Sequence, residues 1–185
     1  MKAINILILL LFTANNFTIK AQGIYRNASD FKQRYYWIKS NTNEKFKVYP
    51  HKHFHTNEIK VVCGDSIFNI AKADIYGYTD KEGNQYRFFN NQQYKIINPT
   101  ENVLLYSKQI LAGPKGNTPT LIYFFSKDAD SPISELSILN VKNTFRENTQ
   151  LIEKFDLHFK NDLDLIQYDA YYKTYKINHL INTSK

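Results

Sequence analysis

Three imidazoles at alternate positions, His51, His53 and His55, form the clearest chemical spacing in the chain. On a strand they would share one face, because side chains alternate. Three His on one exposed face could ligate Zn²⁺ or Cu²⁺. Phe46, Val48 and Phe54 have the opposite parity and take the core side. Pro50 cannot donate to a ladder, which places the segment at an edge or in a loop, with solvated and loosely held rings. A good site needs fixed ligands with partners of their own, and Glu58 is the nearest acidic candidate for a fourth ligand. The expectation is no structural metal and no cofactor. His51, His53 and His55 remain the candidate ligands of a metal-binding alternative.

Upstream, aromatic and basic residues interleave, first in Arg34-Tyr35-Tyr36-Trp37-Ile38-Lys39 and again in Lys45-Phe46-Lys47-Val48-Tyr49. Tyr, Trp and Arg carry many binding surfaces, and Trp37 is the only Trp. Tyr35, Tyr36 and Trp37 are therefore the candidate ligand-binding residues. Such a pattern can also stack single-stranded nucleic acid, but alternating aromatic and Lys is equally how a half-buried strand reads. Nucleic acid is not an expected partner. Gly113-Pro114-Lys115-Gly116 places its Lys before the second Gly, so it is not a phosphate loop, and no G-x-S-x-G is present. Asp128/Asp130 and Asp162/Asp164 sit where helices are about to begin, which suits capping better than acid–base chemistry. Cys63 follows Val61 and Val62 and reads as a small buried hydrophobe. As the only cysteine it can form no intrachain disulfide. No catalytic residue is assigned.

The elements that must carry these residues divide near residue 130. Before it, short runs rich in Tyr, Phe, Val and Ile are separated by Gly, Pro, Asn and Asp, which predicts strands. They fall at Tyr35–Lys39, Lys45–Tyr49, Glu58–Cys63, Ile67–Tyr78, Gln85–Asn90, Gln93–Ile97, Val103–Ile110 and Thr120–Ser126. Asp80 to Asn84 supplies the turn of a hairpin over Tyr78–Arg87, and Asn90-Asn91 supplies a second turn. After residue 130 the spacing is helical. Ser131-Pro132 reads as a helix start, Asn148-Thr149 as a second, and a third helix is expected from Leu163 to about Ile181. The fold class is α+β, with an N-terminal antiparallel meander (22–126 mainly strand) and a C-terminal layer of about three helices (132–181 mainly helix).

Residues 1–21 read as a secretory signal peptide. Lys2 gives the positive start, Ile4 to Phe12 is apolar but for Asn5, and Ile19 and Ala21 precede a cut before Gln22. The apolar run is shorter than the roughly 20 residues that span a bilayer, and no transmembrane segment is expected in the mature form. Residues 22–185 then suit a single domain. The chain holds 24 Lys and Arg against 17 Asp and Glu. The leader carries Lys2 and Lys20 and no acid, so the mature form stays basic, its surplus lying before residue 121. The simpler reading is a lysine-rich solvated surface; the alternative is a preference for anionic partners such as lipid headgroups or polysaccharide.

Several short stretches carry a resemblance. Gly23-Ile24-Tyr25 is followed by Asp30-Phe31. Asp74-Ile75-Tyr76-Gly77-Tyr78 leads through Asp80 and Gly83 to Tyr86-Arg87. Leu105-Tyr106, Tyr123-Phe124-Phe125-Ser126, a Leu-rich helix ending near Asn143 and Phe145, and Tyr175-Lys176-Ile177-Asn178 follow. Together they resemble a set of uncharacterised exported proteins of Bacteroidetes-type bacteria. The resemblance implies a place in the periplasm, at the cell surface or in the medium, and brings no catalytic residue. The expected role is that of a non-enzymatic module binding an envelope or extracellular ligand. The alternatives are a hydrolase acting on envelope polymers and a metal-binding protein using the His cluster.

Overall fold

The computed structural model describes residues 21–39, 45–50, 57–110 and 119–184. The chain opens with β1 (Gly23–Tyr25), all three residues buried. Helix α1 (Ala28–Gln33) follows, capped by Asn27, whose side chain accepts Asp30 N–H at 2.9 Å; the Asp30 carboxylate accepts Arg26 N–H, one residue before the cap, at 3.1 Å. Arg34, at φ 55°, ends it. This helix was not anticipated; at 6 residues it is too short for periodicity to reveal. Then come β2 (Ile38–Lys39), β3 (Phe46–Tyr49), β4 (Glu58–Cys63) and β5 (Ser66–Ala71). The strand expected over Ile67–Tyr78 is broken by a 3-10 turn at Lys72–Asp74, after which β6 (Gly77–Thr79) begins.

β7 (Gln85–Phe89), β8 (Gln92–Ile96), β9 (Leu104–Ile110) and β10 (Thr120–Ser126) continue the meander. Gly83 takes φ 81° in the β6–β7 turn. Asn90 and Asn91, at φ 48° and 59°, make the two-residue β7–β8 turn, whose twist matches that of the strands it joins. Ser131-Pro132 does not start a helix; the chain instead adds β11 (Ser134–Glu135) to the edge of β10. The true N-cap is Ser137, whose side chain accepts from Asn140 N–H and starts α2 (Ile138–Thr144). Asn148 caps α3 (Thr149–His158).

The third helix is shorter than its spacing predicts. A 3-10 turn at Asp162–Ile166 and a hairpin of β12 (Tyr168–Asp169) and β13 (Thr174–Tyr175) precede α4 (Lys176–Asn182). Asp169 Oδ1 accepts from Tyr171 N–H (2.9 Å) and Tyr172 N–H (3.1 Å), and Lys173 sits at φ 54°. That local turn outcompetes helix propagation. Residues 132–181 are thus divided among helices, 3-10 turns and short strands. Asp162 does serve a helix start, but that of α2: its carboxylate accepts Ile138 N–H at 2.7 Å. Asp128 caps a turn before β11 and no helix.

The architecture is α+β, dominated by an eight-stranded antiparallel sheet ordered β11-β10-β9-β8-β7-β6-β1-β2. The helices lie mostly C-terminal. A separate three-stranded sheet, β3-β4-β5, corrects the expectation of one continuous meander. Cross-strand registers assign the faces. Ile24, Tyr78, Phe88, Gln93, Leu105 and Phe125 share one face, and Tyr25, Arg87, Tyr94, Tyr106 and Phe124 the other. On the first face, Ile24, Tyr78 and Phe88 pack under Phe46, Ile59, Val61 and Ile70 of the small sheet. Leu105 and Phe125 pack under Val141, Leu151, Phe155 and Ile177 of the helices. Each such fully buried side chain contributes about 1.5–3 kcal/mol. The two coverings sit over opposite ends of the sheet, and between them β8 presents polar Gln93 and Lys95. On the second face, α1 packs Ala28 and Phe31 against Tyr25 and Tyr76. Among the described residues no helix is long and apolar enough to cross a membrane.

Candidate functional site

A cleft of about 700 Å³ opens where the small sheet meets the β6–β7 hairpin. One wall is β3 in full, with Pro50 after it and Lys60 beside it on β4. The other wall holds Gln22, Tyr78, Asp80, Lys81, Glu82, Tyr86 and Gln93. The size lies within the range of ligand pockets. Alternation along β3 turns Phe46 and Val48 inward against the core cluster that contains Tyr78 and Tyr86. Lys47 and Tyr49 turn outward with Lys60, which pairs directly across from Tyr49. The inner wall is thus apolar and aromatic, and the outer lip carries ammonium groups.

The aromatic wall is closely packed. The rings of Tyr78 and Tyr86 stack at 4.8 Å with 17° between their planes, and Phe88 continues the stack at 5.9 Å from Tyr78. Gly77 lets the β6 and β7 backbones approach closely: a Cβ there would lie 1.8 Å from the Tyr86 carbonyl oxygen. Burial, reinforced by Tyr86 and Asp80, pushes the Tyr78 hydroxyl far above its ordinary pKa. Burial and then the Asp80 charge push Tyr86 up to about 12. Both phenols therefore stay protonated at neutral pH.

Asp80 holds the turn. Its Oδ1 accepts Asn84 N–H at 2.8 Å, and its Oδ2 accepts the Asn84 side-chain amide at 3.0 Å and the Tyr86 hydroxyl at 3.3 Å. Lys81 and Glu82 pair at 3.5 Å in the open. Gln93 Oε1 is buried and meets no donor among the described residues. The arrangement can surround an apolar group, donate hydrogen bonds from ammonium groups at the lip, and accept one at Gln93.

The sequence-derived candidates lie elsewhere. Tyr36 points inward: its ring stacks on Tyr25 at 4.8 Å, and its hydroxyl shares hydrogen bonds with Tyr25 (3.2 Å), Thr79 (3.2 Å) and the Ala21 carbonyl (3.1 Å). Tyr35 and Trp37 point outward, 62% and 45% exposed, with the Arg26 guanidinium 5.4 Å over the Trp37 ring. None of the three lines the cleft. His51, His53 and His55 fall outside the described residues. Glu58 is an exposed residue at the start of β4. Among the described residues no three His, Cys, Asp or Glu gather to hold a metal ion. Cys63 is half-buried, and its thiol reaches the Lys39 carbonyl at 3.5 Å. Lys60, Tyr78, Tyr86 and Gln93 carry no site signal in the sequence, where the Lys45–Tyr49 run and the Tyr78–Arg87 hairpin stand out only as separate local patterns.

No family model, curated protein or solved structure matches the chain.

Proposed function

We propose that the chain is an exported, non-enzymatic binding module of the periplasm, cell surface or medium, and that its ligand occupies the cleft between β3 and the β6–β7 hairpin. The observation that carries the reading is the composition of that cleft: an aromatic inner wall, a lysine lip, and two acids, Asp80 committed to Asn84 and Tyr86 and Glu82 paired with Lys81. Export rests on the leader pattern of Lys2, Ile4 to Phe12 and Ala21, and on the resemblance to exported Bacteroidetes-type proteins.

The reading is tested with the mature chain and a Lys60→Glu variant, each immobilised and exposed to an envelope extract of the source cells. Bound material should be retained by the first and lost with the second. A hydrolase would behave differently. If the mature chain releases soluble fragments from envelope polymer and Glu82→Gln stops the release, catalysis at the cleft replaces binding.

A further inference from the structure

β3 is an edge strand, and it faces the cleft with its edge. Gly64 N–H donates to the Lys45 carbonyl at 2.9 Å, which makes Lys45 and Gly64 a hydrogen-bonded pair at the end of the β3–β4 ladder. Antiparallel pairs alternate between bonded and non-bonded, so Lys47 and Tyr49 direct their backbone groups to β4. The N–H and C=O of Phe46 and Val48 then point away from β4. Among the described residues no strand pairs on that side. The cleft touches all four residues of β3, as space alongside an edge must. The Tyr78 ring is 5% exposed and stacked on both neighbours, so it offers little free face to a sugar. The accessible polar feature is the backbone.

We propose that the cleft is a strand-addition site for an extended acidic peptide segment of a partner protein, which pairs with Phe46 and Val48 of β3. The inference deepens the binding reading above and rests on it. Main-chain bonds supply affinity and alternate side chains supply specificity in such complexes. Peptide side chains opposite Phe46 and Val48 turn inward against Tyr78 and Tyr86, so they are apolar. Those opposite Lys47 and Tyr49 turn outward, where Lys47 and Lys60 have no carboxylate within ion-pair distance among the described residues. They are acidic. The partner segment therefore alternates acidic and apolar residues.

The test uses the mature chain and the heptapeptide acetyl-Val-Glu-Val-Glu-Val-Glu-Val-amide. In the free protein, amide exchange at Phe46 and Val48 should be fast while Lys47 and Tyr49 are protected; protection at 46 and 48 would show the edge already occupied and overturn the proposal. Adding the peptide should protect both, and the same peptide with Lys in place of Glu should not. Val48→Pro removes one outward donor and leaves the β4 ladder intact, a substitution that edge strands tolerate. It should weaken the peptide at least about tenfold with an unchanged circular dichroism spectrum. Lys47→Ala should weaken it about threefold to tenfold, less at high salt. Peptide binding that is equal in Val48→Pro overturns strand addition. So does polygalacturonate binding at the cleft in place of the peptide; loss of that binding with Lys60→Glu would leave the cleft a ligand site while removing the peptide. If neither probe binds and the envelope extract yields nothing, both readings fall.

Discussion

Arg87 carries its charge into the core beneath the large sheet's second face. It is 5% exposed, and no carboxylate lies within ion-pair distance among the described residues. Its Nη1 donates to the Tyr106 hydroxyl (2.9 Å) and reaches the Ser126 hydroxyl (3.4 Å), while Nη2 donates to the Ser131 carbonyl (2.9 Å). The guanidinium lies over the Tyr76 and Phe89 rings at 5.0 and 5.6 Å. Neutral oxygens and aromatic faces thus take the place of a counter-ion, which offsets part of the desolvation. The planar fork reaches two sides at once; an ammonium cannot. Arg87→Lys should cost about 1.5–3 kcal/mol, since one set of charged hydrogen bonds is lost, and urea unfolding followed by circular dichroism would measure it. A variant as stable as the parent would mean that the fork geometry contributes nothing.

At the scale of elements, the caps set the acid response. Asp164 closes a capping box: its Oδ2 accepts Lys160 N–H at 2.8 Å and Asn161 N–H at 3.1 Å. These bonds hold its pKa below the ordinary carboxylate value. Desolvation pushes Asp128 upward, but the hydrogen bonds from Ser131 and Asp130 outweigh it and leave that carboxyl low as well. A depressed native pKa stabilises the fold above the unfolded value near 4 and loses that contribution as pH falls through the native value. The unfolding midpoint of Asp164→Asn should therefore depend less on pH below about 4 than that of the parent. Parallel acid titrations by circular dichroism would contradict this.

Helix α4 is tied to the large sheet by amides. Asn98 donates to the Val103 carbonyl (2.8 Å) and to Asn178 Oδ1 (3.1 Å), and Asn178 donates to the same carbonyl (2.8 Å). Asn178→Ala should cost about 1–3 kcal/mol by removing two buried hydrogen bonds, one from Asn98 and one to the Val103 carbonyl, with α4 amides losing exchange protection first. Sequence spacing found α4 through Ile177, Leu180 and Ile181 but extended it backward, because Ile166 and Ala170 fit the same period. The Asp169 turn that stops it is a side-chain to backbone choice that periodicity does not register. Glu58–Cys63 and Thr120–Ser126, by contrast, have in the structure the bounds that their composition suggests. The cleft was half legible for a similar reason. The Lys45–Tyr49 run and the Tyr78–Arg87 hairpin each stand out in the sequence, but their apposition depends on a separate small sheet folding over the large one. Local patterns carry no such long-range information.

For the whole molecule, the small sheet is an excursion between β2 and β6 that covers one end of the large sheet while the helices cover the other. Each covering has its own buried cluster, with polar Gln93 and Lys95 between them. The two should open separately. Native-state amide exchange in low denaturant should release the central strand β4 before β9 and β10. Simultaneous release would show one cooperative core.

Gln22 lines the cleft, and Ala21 before it gives its carbonyl to Tyr36. Cleavage between them would create a titratable charge at the mouth of the site. Before such a cut the position would hold an uncharged peptide nitrogen, and after it an α-amine with an ordinary pKa of about 7.7–8.0. Tyr36 would lose one acceptor, keep Thr79 as the other and still accept from Tyr25. Maturation would then switch on pH sensitivity: an acidic ligand should bind the processed chain more tightly below pH ~8 than above it. The same chain acetylated at that amine should show no such step. Affinities of the chain with and without residues 1–21 measured across this range would reveal whether an amine at Gln22 completes the binding surface.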